Sequence, residues 1–271
     1  LGITHILRGN DLMIETDMEK YIWDIFKWKH SIVIHTGLIR VDGIEGAKIS
    51  KSKAQKEVRS GEFTGWDDPR TWSIQSLERR GIRADAVKEF VKEIGLNKQD
   101  ITIPIESLYA LNRKLIDSEA DRYYFVENPI RLEVKDAPVI LEIDVPLHPD
   151  KPELKKEMRV VIGDIFISDK DFDNFKNREV RLLHLYNIKL PQKGKKAVFT
   201  SQENKDIPKI TWVSFGSKTK ILMPDGTWIE GLADENIGSL KIGDVVQFER
   251  FGFCKYDSVK EGKYEFWFSH K

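Results

Sequence analysis

Cysteine is nearly missing from this sequence: Cys254 is the single example in 271 residues. An intramolecular disulfide framework is thereby excluded, and a reducing compartment, the cytoplasm, is the expected location. Long hydrophobic runs are missing too. No stretch approaches the roughly 20 apolar residues needed to cross a bilayer, and no charged-then-apolar leader opens the chain, so a soluble protein without a membrane partner is expected. Charge of one sign is not in excess, since 44 basic residues face 44 acidic ones. A polyanion such as RNA would therefore be met by local patches of charge rather than by a global field. There is no repeat of fixed period and no low-complexity tract. The chain opens on Leu1 rather than Met, within Leu1-Gly-Ile-Thr-His-Ile-Leu7, which already reads as a buried strand; the sequence is accordingly read as a fragment whose start lies upstream.

What is present is a composition 40% hydrophobic, enough for two domains with real cores or one large one. Residues 1–55 read as strand, loop, helix, strand. Thr16 and Glu19 match a T-x-x-E capping box, followed by a helical face of Met18, Tyr21, Ile22, Ile25 and Phe26, so a helix is expected from about Asp17 to Lys29. Ser31-Ile-Val-Ile-His35 is a short strand, which makes this region a β-α-β unit from an α/β domain. Residues 56–129 read as helical. Asp68-Pro69 pairs a capping residue with a first-turn proline, Gly81 is a stop signal, Ala86, Val87, Phe90, Val91 and Ile94 recur at helical spacing, and a last helix is expected over Ile105–Val126. From Ile130 the texture turns to β. Short strands are expected at Leu132–Val134, Val139–Val145, Arg159–Ile162, Val180–Leu185 and Val245–Phe248, with a hairpin turning at Asp225-Gly226. Strands at this spacing suggest barrels. The expected class is multidomain, α/β plus all-β.

The most informative stretch is Lys48-Ile-Ser-Lys-Ser52, preceded by the glycine-flanked Asp42-Gly-Ile-Glu-Gly46. Two lysines around a hydroxyl on a mobile loop suit the charge that builds on phosphates when a nucleophile attacks ATP. A solvated basic loop is the plain alternative. Its neighbours decide between them: Gly65-Trp-Asp-Asp-Pro-Arg70 and Leu77-Glu-Arg-Arg-Gly81 follow in order, as do His148-Pro-Asp-Lys-Pro-Glu153, Gly163-Asp-Ile-Phe-Ile167, Glu179-Val-Arg-Leu182 and Thr211-Trp-Val-Ser214. Together these resemble the K-M-S-K-S loop and downstream motifs of class I aminoacyl-tRNA synthetases of the glutamyl/glutaminyl branch, in archaeal form. At the start, Ile3-Thr-His-Ile-Leu-Arg-Gly9 resembles the T-H-x-L-R-G strand end of the glutamyl members, where glutaminyl enzymes carry an uncharged residue in place of Arg8.

The resemblance covers essentially the whole chain as the C-terminal half of an archaeal-type glutamyl-tRNA synthetase. It implies residues 1–55 as the end of a Rossmann-type catalytic domain, 56–129 as a helical bundle touching the inner side of tRNA, and 130–271 as two anticodon-binding β-barrels. Arg8 and Gly9 would meet glutamate. Lys51 would steady the β- and γ-phosphates of ATP, Lys48 would neutralise charge, and Ser50 and the Ile49 backbone would lie near the phosphates or adenosine. Leu38-Ile39 stands where the family often has an Arg-Leu pair against adenosine. ATP with Mg2+ is implied as substrate, with L-glutamate and tRNA(Glu) as partners, tRNA(Gln) as an open second acceptor, and no DNA. Arg8 and the lysine loop would converge on one amino acid and one triphosphate. A glutaminyl-tRNA synthetase and a non-catalytic tRNA-binding module are the alternatives. No His-x-Gly-His occurs in the sequence; the family's H-I-G-H counterpart is expected before Leu1, and these 271 residues alone are expected not to activate glutamate.

Other candidates read as structural. Trp66, Asp67, Asp68 and Arg70 are better explained by capping and packing, and Arg8 taken singly could pair with a local acid such as Asp11. The six histidines show no metal-ligand spacing, so no metal site is expected. Phe248, Phe251, Phe253, Tyr256, Phe266 and Trp267 read as barrel core before base-stacking platforms.

Overall fold

The structure is a computed structural model and describes residues 2–44 and 51–271. The chain divides into two compact units, one of residues 1–44 with 84–112, the other of 45–83 with 113–271. Among the described residues no helix is long and apolar enough to cross a membrane.

The first unit begins with the expected β-α-β unit. Strand His5–Gly9 pairs in parallel with Ile32–Thr36, and helix Met13–Ile25 connects them. The helix starts at Met13, not Asp17, so the capping-box expectation fails. Thr16 lies inside the helix and donates its hydroxyl to the Leu12 carbonyl at 3.2 Å, the back-bonding available to a mid-helix threonine. A second parallel pair joins Ile39–Asp42 to Ile101–Pro104. Only glycine fits at position 37, since a Cβ there would stand 2.2 Å from the Gln99 carbonyl oxygen. Helix Ala84–Ile94 turns Ala86 and Phe90 inward and leaves Val91 exposed.

In the second unit, helix Lys51–Ser60 is followed by a 3-10 turn at Pro69–Thr71 and helix Ile74–Arg79. Asp68 caps the turn as expected, accepting the Arg70 amide at 3.1 Å, with proline in the first position. Burial opposes ionisation of Asp68, but the Arg70 guanidinium and the backbone N–H groups of Thr64 and Arg70 outweigh it and hold the carboxyl below its ordinary value. Beyond Gly81, in the left-handed region at φ +88, the chain cannot continue the helix. Arg80 is fully buried and sews this segment to the last strand, donating to the carbonyls of Phe268 at 3.1 Å and Ser269 at 2.7 Å. Arg79 binds Asp257 at 2.8 Å and stacks on Trp267.

The helix expected over Ile105–Val126 stops at Ile116, and Arg122–Tyr123 and Phe125–Glu127 are strands instead. Tyr123, Tyr124, Phe125 and Val126 are all buried, and a run apolar on every side cannot be assigned to helix or strand by period. Here tertiary burial decides for strand. Residues 122–127 carry both ends of a seven-stranded sheet: Arg122–Tyr123 pairs with Val245–Phe248 at one end, and Phe125–Glu127 pairs with Trp228–Asp234 at the other. Because both edges belong to one continuous stretch of chain, the sheet curls round on itself. Its core includes Phe248, Phe266, Tyr256 and Ile221. The expected hairpin is present between Gly216–Leu222 and Trp228–Asp234, with Gly226 at φ +86 and Asp225 accepting the Thr227 amide at 2.8 Å.

A six-stranded sheet runs Asp164–Ser168, Pro129–Lys135, Lys196–Ser201, Asn187–Lys189, Glu179–Leu182, Lys209–Ile210. Reciprocal bonds between Phe166 and Val213, at 2.7 and 3.1 Å, tie its first edge to the chain just past its last strand, so this sheet too is nearly closed. Its interior holds Leu132, Ile165, Ile167, Val180, Leu182 and Trp212. The strand expected to reach Leu185 ends at Leu182, because His184 turns the chain at φ +59 and the Leu182 amide donates to the Tyr186 carbonyl at 2.9 Å. The expected Val139–Val145 and Arg159–Ile162 strands are displaced into one antiparallel pair, Glu142–His148 with Lys151–Arg159.

His270, on the last strand, has no exposed surface, and burial lowers its imidazole from an ordinary 6.5 to about 4. The folded state therefore prefers the neutral ring, and its contribution is complete above pH 6.5. It is lost as the pH falls from 6.5 toward 4, where the unfolded chain takes up the proton first. Urea unfolding at pH 7 and 4.5 is expected to differ by about 2–3 kcal/mol more in the parent than in a His270→Gln variant.

Candidate active site

Arg8 stands at the end of the first strand, directly across from His35 on its partner. Its guanidinium is held by one face of helix Met13–Ile25: Nη1 donates to Thr16 Oγ1 at 3.1 Å and Nη2 to Glu19 Oε2 at 2.7 Å. The Arg8 side chain is 15% exposed and that of Glu19 33%, so the pair opens to solvent on one side. The acid expected for a locally paired Arg8 was Asp11; the structure supplies Glu19. Starting the helix at Met13 places Thr16 and Glu19 one turn apart on a common face over the strand end. The Asp11 carboxylate instead fills the space a side chain at Gly9 would take, 2.3 Å from an ideal Cβ there. Gly9 and Arg8 are thus neighbours at one strand tip, as the sequence placed them.

The Thr16 hydroxyl also meets His35 Nε2 at 2.9 Å. Thr16 is buried, whereas His35 keeps partial exposure. Neither Thr16, Glu19 nor His35 was singled out for the site from sequence. The signal was there in part: T-x-x-E marks two polar residues on one helix face, and an apolar strand ending in histidine marks a polar strand tip.

Leu38 and Ile39 follow the second strand in the same unit, and both side chains are largely exposed. The Leu38 amide donates to Asp100 Oδ1 at 2.9 Å and its carbonyl accepts the Ile101 amide at 3.0 Å. With both Leu38 backbone groups engaged, what this residue offers a ligand is apolar side-chain surface.

Of the lysine motif, Lys48, Ile49 and Ser50 lie outside the described residues. Lys51 is the first residue of helix Lys51–Ser60 in the second unit and is exposed. The same short helix exposes Lys53, Lys56 and Arg59, while Ala54 and Glu57 face inward. This is a local positive patch of the kind a neutral chain needs for a polyanion. Sequence reading identified Lys51 by its motif and passed over Lys53, Lys56 and Arg59, whose exposure depends on which helix face is buried.

The Trp66–Arg70 cluster is structural. Arg70 binds Asp68 through Nε at 2.9 Å and Nη2 at 2.8 Å, Asp67 pairs with Arg79, and the Trp66 carbonyl accepts the Thr71 hydroxyl at 2.9 Å. Among the described residues no three His, Cys, Asp or Glu groups converge where an ion could be held.

Comparison with known proteins gives these features a common frame. A model of the catalytic domain of class I tRNA synthetases (E and Q) matches residues 1–118, and two models of the anticodon-binding domain of the same family match residues 120–204 and 199–257. The chain is 38% identical over its whole length to the glutamate–tRNA ligase of Pyrococcus abyssi, of which it covers 49%. It is 37% identical to that of Pyrococcus horikoshii and 32% identical to that of Methanocaldococcus jannaschii, covering 49% and 50% of them. The chain thus spans about half the length of the curated relatives it matches. A parallel strand pair matched by the catalytic model, followed by two nearly closed sheets matched by the anticodon-binding models, leaves one assignment: the chain belongs to the class I tRNA synthetases of the glutamate and glutamine (E and Q) type.

Proposed function

We propose that this chain is part of an enzyme that attaches glutamate to tRNA(Glu) through glutamyl adenylate. The observation that carries the choice of glutamate is Arg8: a guanidinium fixed at a strand tip, partly open to solvent, supplies a counter-charge for a carboxylate that a neutral amide cannot use. A glutaminyl enzyme is the second reading, and the cation at position 8 disfavours it.

In this reading the α-carboxylate of glutamate attacks the α-phosphorus of ATP, the bond to the bridging oxygen breaks, and pyrophosphate departs. The terminal ribose hydroxyl of tRNA then attacks the acyl carbon and AMP leaves. Positioning and charge stabilisation dominate such chemistry, so the chain needs no acid–base pair. Arg8, beside Gly9, orients the substrate side chain. Lys51, with Lys48, Ser50 and the Ile49 backbone, balances the charge of the departing phosphates, and the Leu38 and Ile39 side chains pack near adenosine. Magnesium travels with the triphosphate as part of the substrate. The catalytic end of the chain meets the amino acid and ATP, the helices that follow Lys51 face the tRNA stem, and the two nearly closed sheets take the anticodon, whose unstacked bases expose readable edges. The exposed Lys51, Lys53, Lys56 and Arg59 support an RNA contact beside the ATP site. tRNA(Gln) is a second acceptor if anticodon discrimination is relaxed, and charging of tRNA places the protein in the cytoplasm.

The test is ATP–pyrophosphate exchange by the full-length protein with glutamate or glutamine as the amino acid, followed by charging of both tRNAs. Glutamate-dependent exchange is expected. Exchange driven by glutamine in preference to glutamate overturns the assignment.

A further inference from the structure

An arginine on a strand tip has a long, mobile stem, and its value as a carboxylate receptor depends on where the guanidinium points before substrate arrives. Three side chains set that direction here. A guanidinium carries five N–H donors in one plane. Arg8 gives one from Nη1 to Thr16 and one from Nη2 to Glu19, which leaves three for a ligand. The Thr16 hydroxyl has one proton and two lone pairs. It donates to the Leu12 carbonyl at 3.2 Å and accepts Arg8 Nη1–H at 3.1 Å, and His35 Nε2 stands 2.9 Å from it. This buried hydroxyl is thereby held from three sides, by Leu12, Arg8 and His35.

Glu19 plays a different part. Its carboxylate touches the guanidinium at 2.7 Å and remains one-third exposed. The Arg8–Glu19 pair therefore carries no net charge, and an incoming carboxylate meets a cation that already has an anion beside it.

We propose that Thr16 and Glu19 are positioning residues that set the amino-acid specificity of this pocket through Arg8: Thr16, locked by His35, fixes the direction of the guanidinium, and Glu19 sets how much of its charge a substrate carboxylate feels. This rests on the reading of Arg8 as the glutamate-binding residue.

Steady-state exchange by the full-length protein tests it. Thr16→Val keeps the shape and removes the hydroxyl, and is expected to raise the KM for glutamate roughly tenfold while kcat and the KM for ATP stay within about twofold. Thr16→Ser restores the parent value. Glu19→Gln keeps an acceptor for Nη2 but removes the negative charge; it is expected to lower the KM for glutamate several-fold and widen the preference for glutamate over glutamine. A merely structural role would move both substrates together and would not split KM from kcat. An unchanged glutamate KM in folded Thr16→Val, or a raised one in Glu19→Gln, overturns the proposal, and the second variant decides alone if the first does not fold. Arg8→Gln in the same assay separates the two levels. If it leaves the glutamate KM unchanged, the pocket reading itself falls; if it raises that KM while the Thr16 and Glu19 variants match the parent, only the clamp falls.

Discussion

Replacing Lys156 with methionine is expected to destabilise the β-rich unit by about 3–5 kcal/mol, because it strands a carboxylate in the interior. The Lys156 ammonium lies 2.6 Å from Asp234, and the two side chains are only 2% and 1% exposed. Lys156 also donates to the Arg122 carbonyl at 2.8 Å and lies 4.8 and 4.7 Å from the ring centres of Tyr123 and Tyr124. Asp234 in turn accepts the Tyr124 amide at 2.7 Å and the Asn236 amide at 3.1 Å. A single ammonium from the Lys151–Arg159 strand thus joins strand Arg122–Tyr123 and the neighbouring Tyr124 to the end of strand Trp228–Asp234. Burial pushes the nearby Glu249 carboxyl up, and Lys156 and then Arg122 pull it back, so the substitution strips Asp234 of its ammonium and leaves Glu249 with Arg122 alone. The double variant Lys156→Met with Asp234→Asn removes both charges of the pair and is expected to recover more than half of the loss. Urea unfolding of the parent, single and double variants measures this. Equal losses in the single and double variants would show that packing, not the stranded charge, carries the effect.

That ion pair was hidden in the sequence, where Lys156 lies between the expected strands Val139–Val145 and Arg159–Ile162. Its burial follows only from two nearly closed sheets sharing the segment Tyr123–Val126, and this segment is also where the expected helix fails. The hidden pair and the failed helix have one cause: contacts between residues far apart in sequence override local pattern. Where the chemistry is local, the sequence is a reliable guide. Asp225-Gly226 turns a hairpin because glycine accepts φ +86 and the aspartate holds the next amide, and Asp68-Pro69 caps a turn because both residues act within three positions. The site divides in the same way. Arg8, Gly9 and Lys51 were legible as motif positions. The partners of Arg8 were not, because the T-x-x-E spacing that suggests a capping box equally places Thr16 and Glu19 on one helix face, and only the strand beneath decides which use they serve.

The proposed contact of Arg8 with the glutamate side chain leads to the largest effect expected on activity. Arg8→Gln replaces a planar cation with a neutral amide of shorter reach. Hydrogen bonds to a charged group contribute roughly 1.5–3 kcal/mol each, so losing a bidentate pair with the substrate carboxylate is expected to lower kcat/KM for glutamate roughly 10^3-fold in the full-length protein. Arg8→Lys keeps the charge but cannot reproduce the fork, and should recover only part of that loss. The KM for ATP should move little, since the triphosphate is assigned to the lysine-bearing segment and not to this strand tip. Glutamine, which has no carboxylate in its side chain, should lose far less than glutamate, so the preference between the two narrows from the glutamate side. Exchange kinetics with each amino acid at saturating ATP, and with ATP varied at saturating glutamate, separate these cases. A parallel loss for both amino acids and for ATP would mean that Arg8 supports the fold of the strand tip through Glu19 and Thr16 and does not face the substrate, and the preference for a glutamyl over a glutaminyl enzyme would then have to rest on other residues.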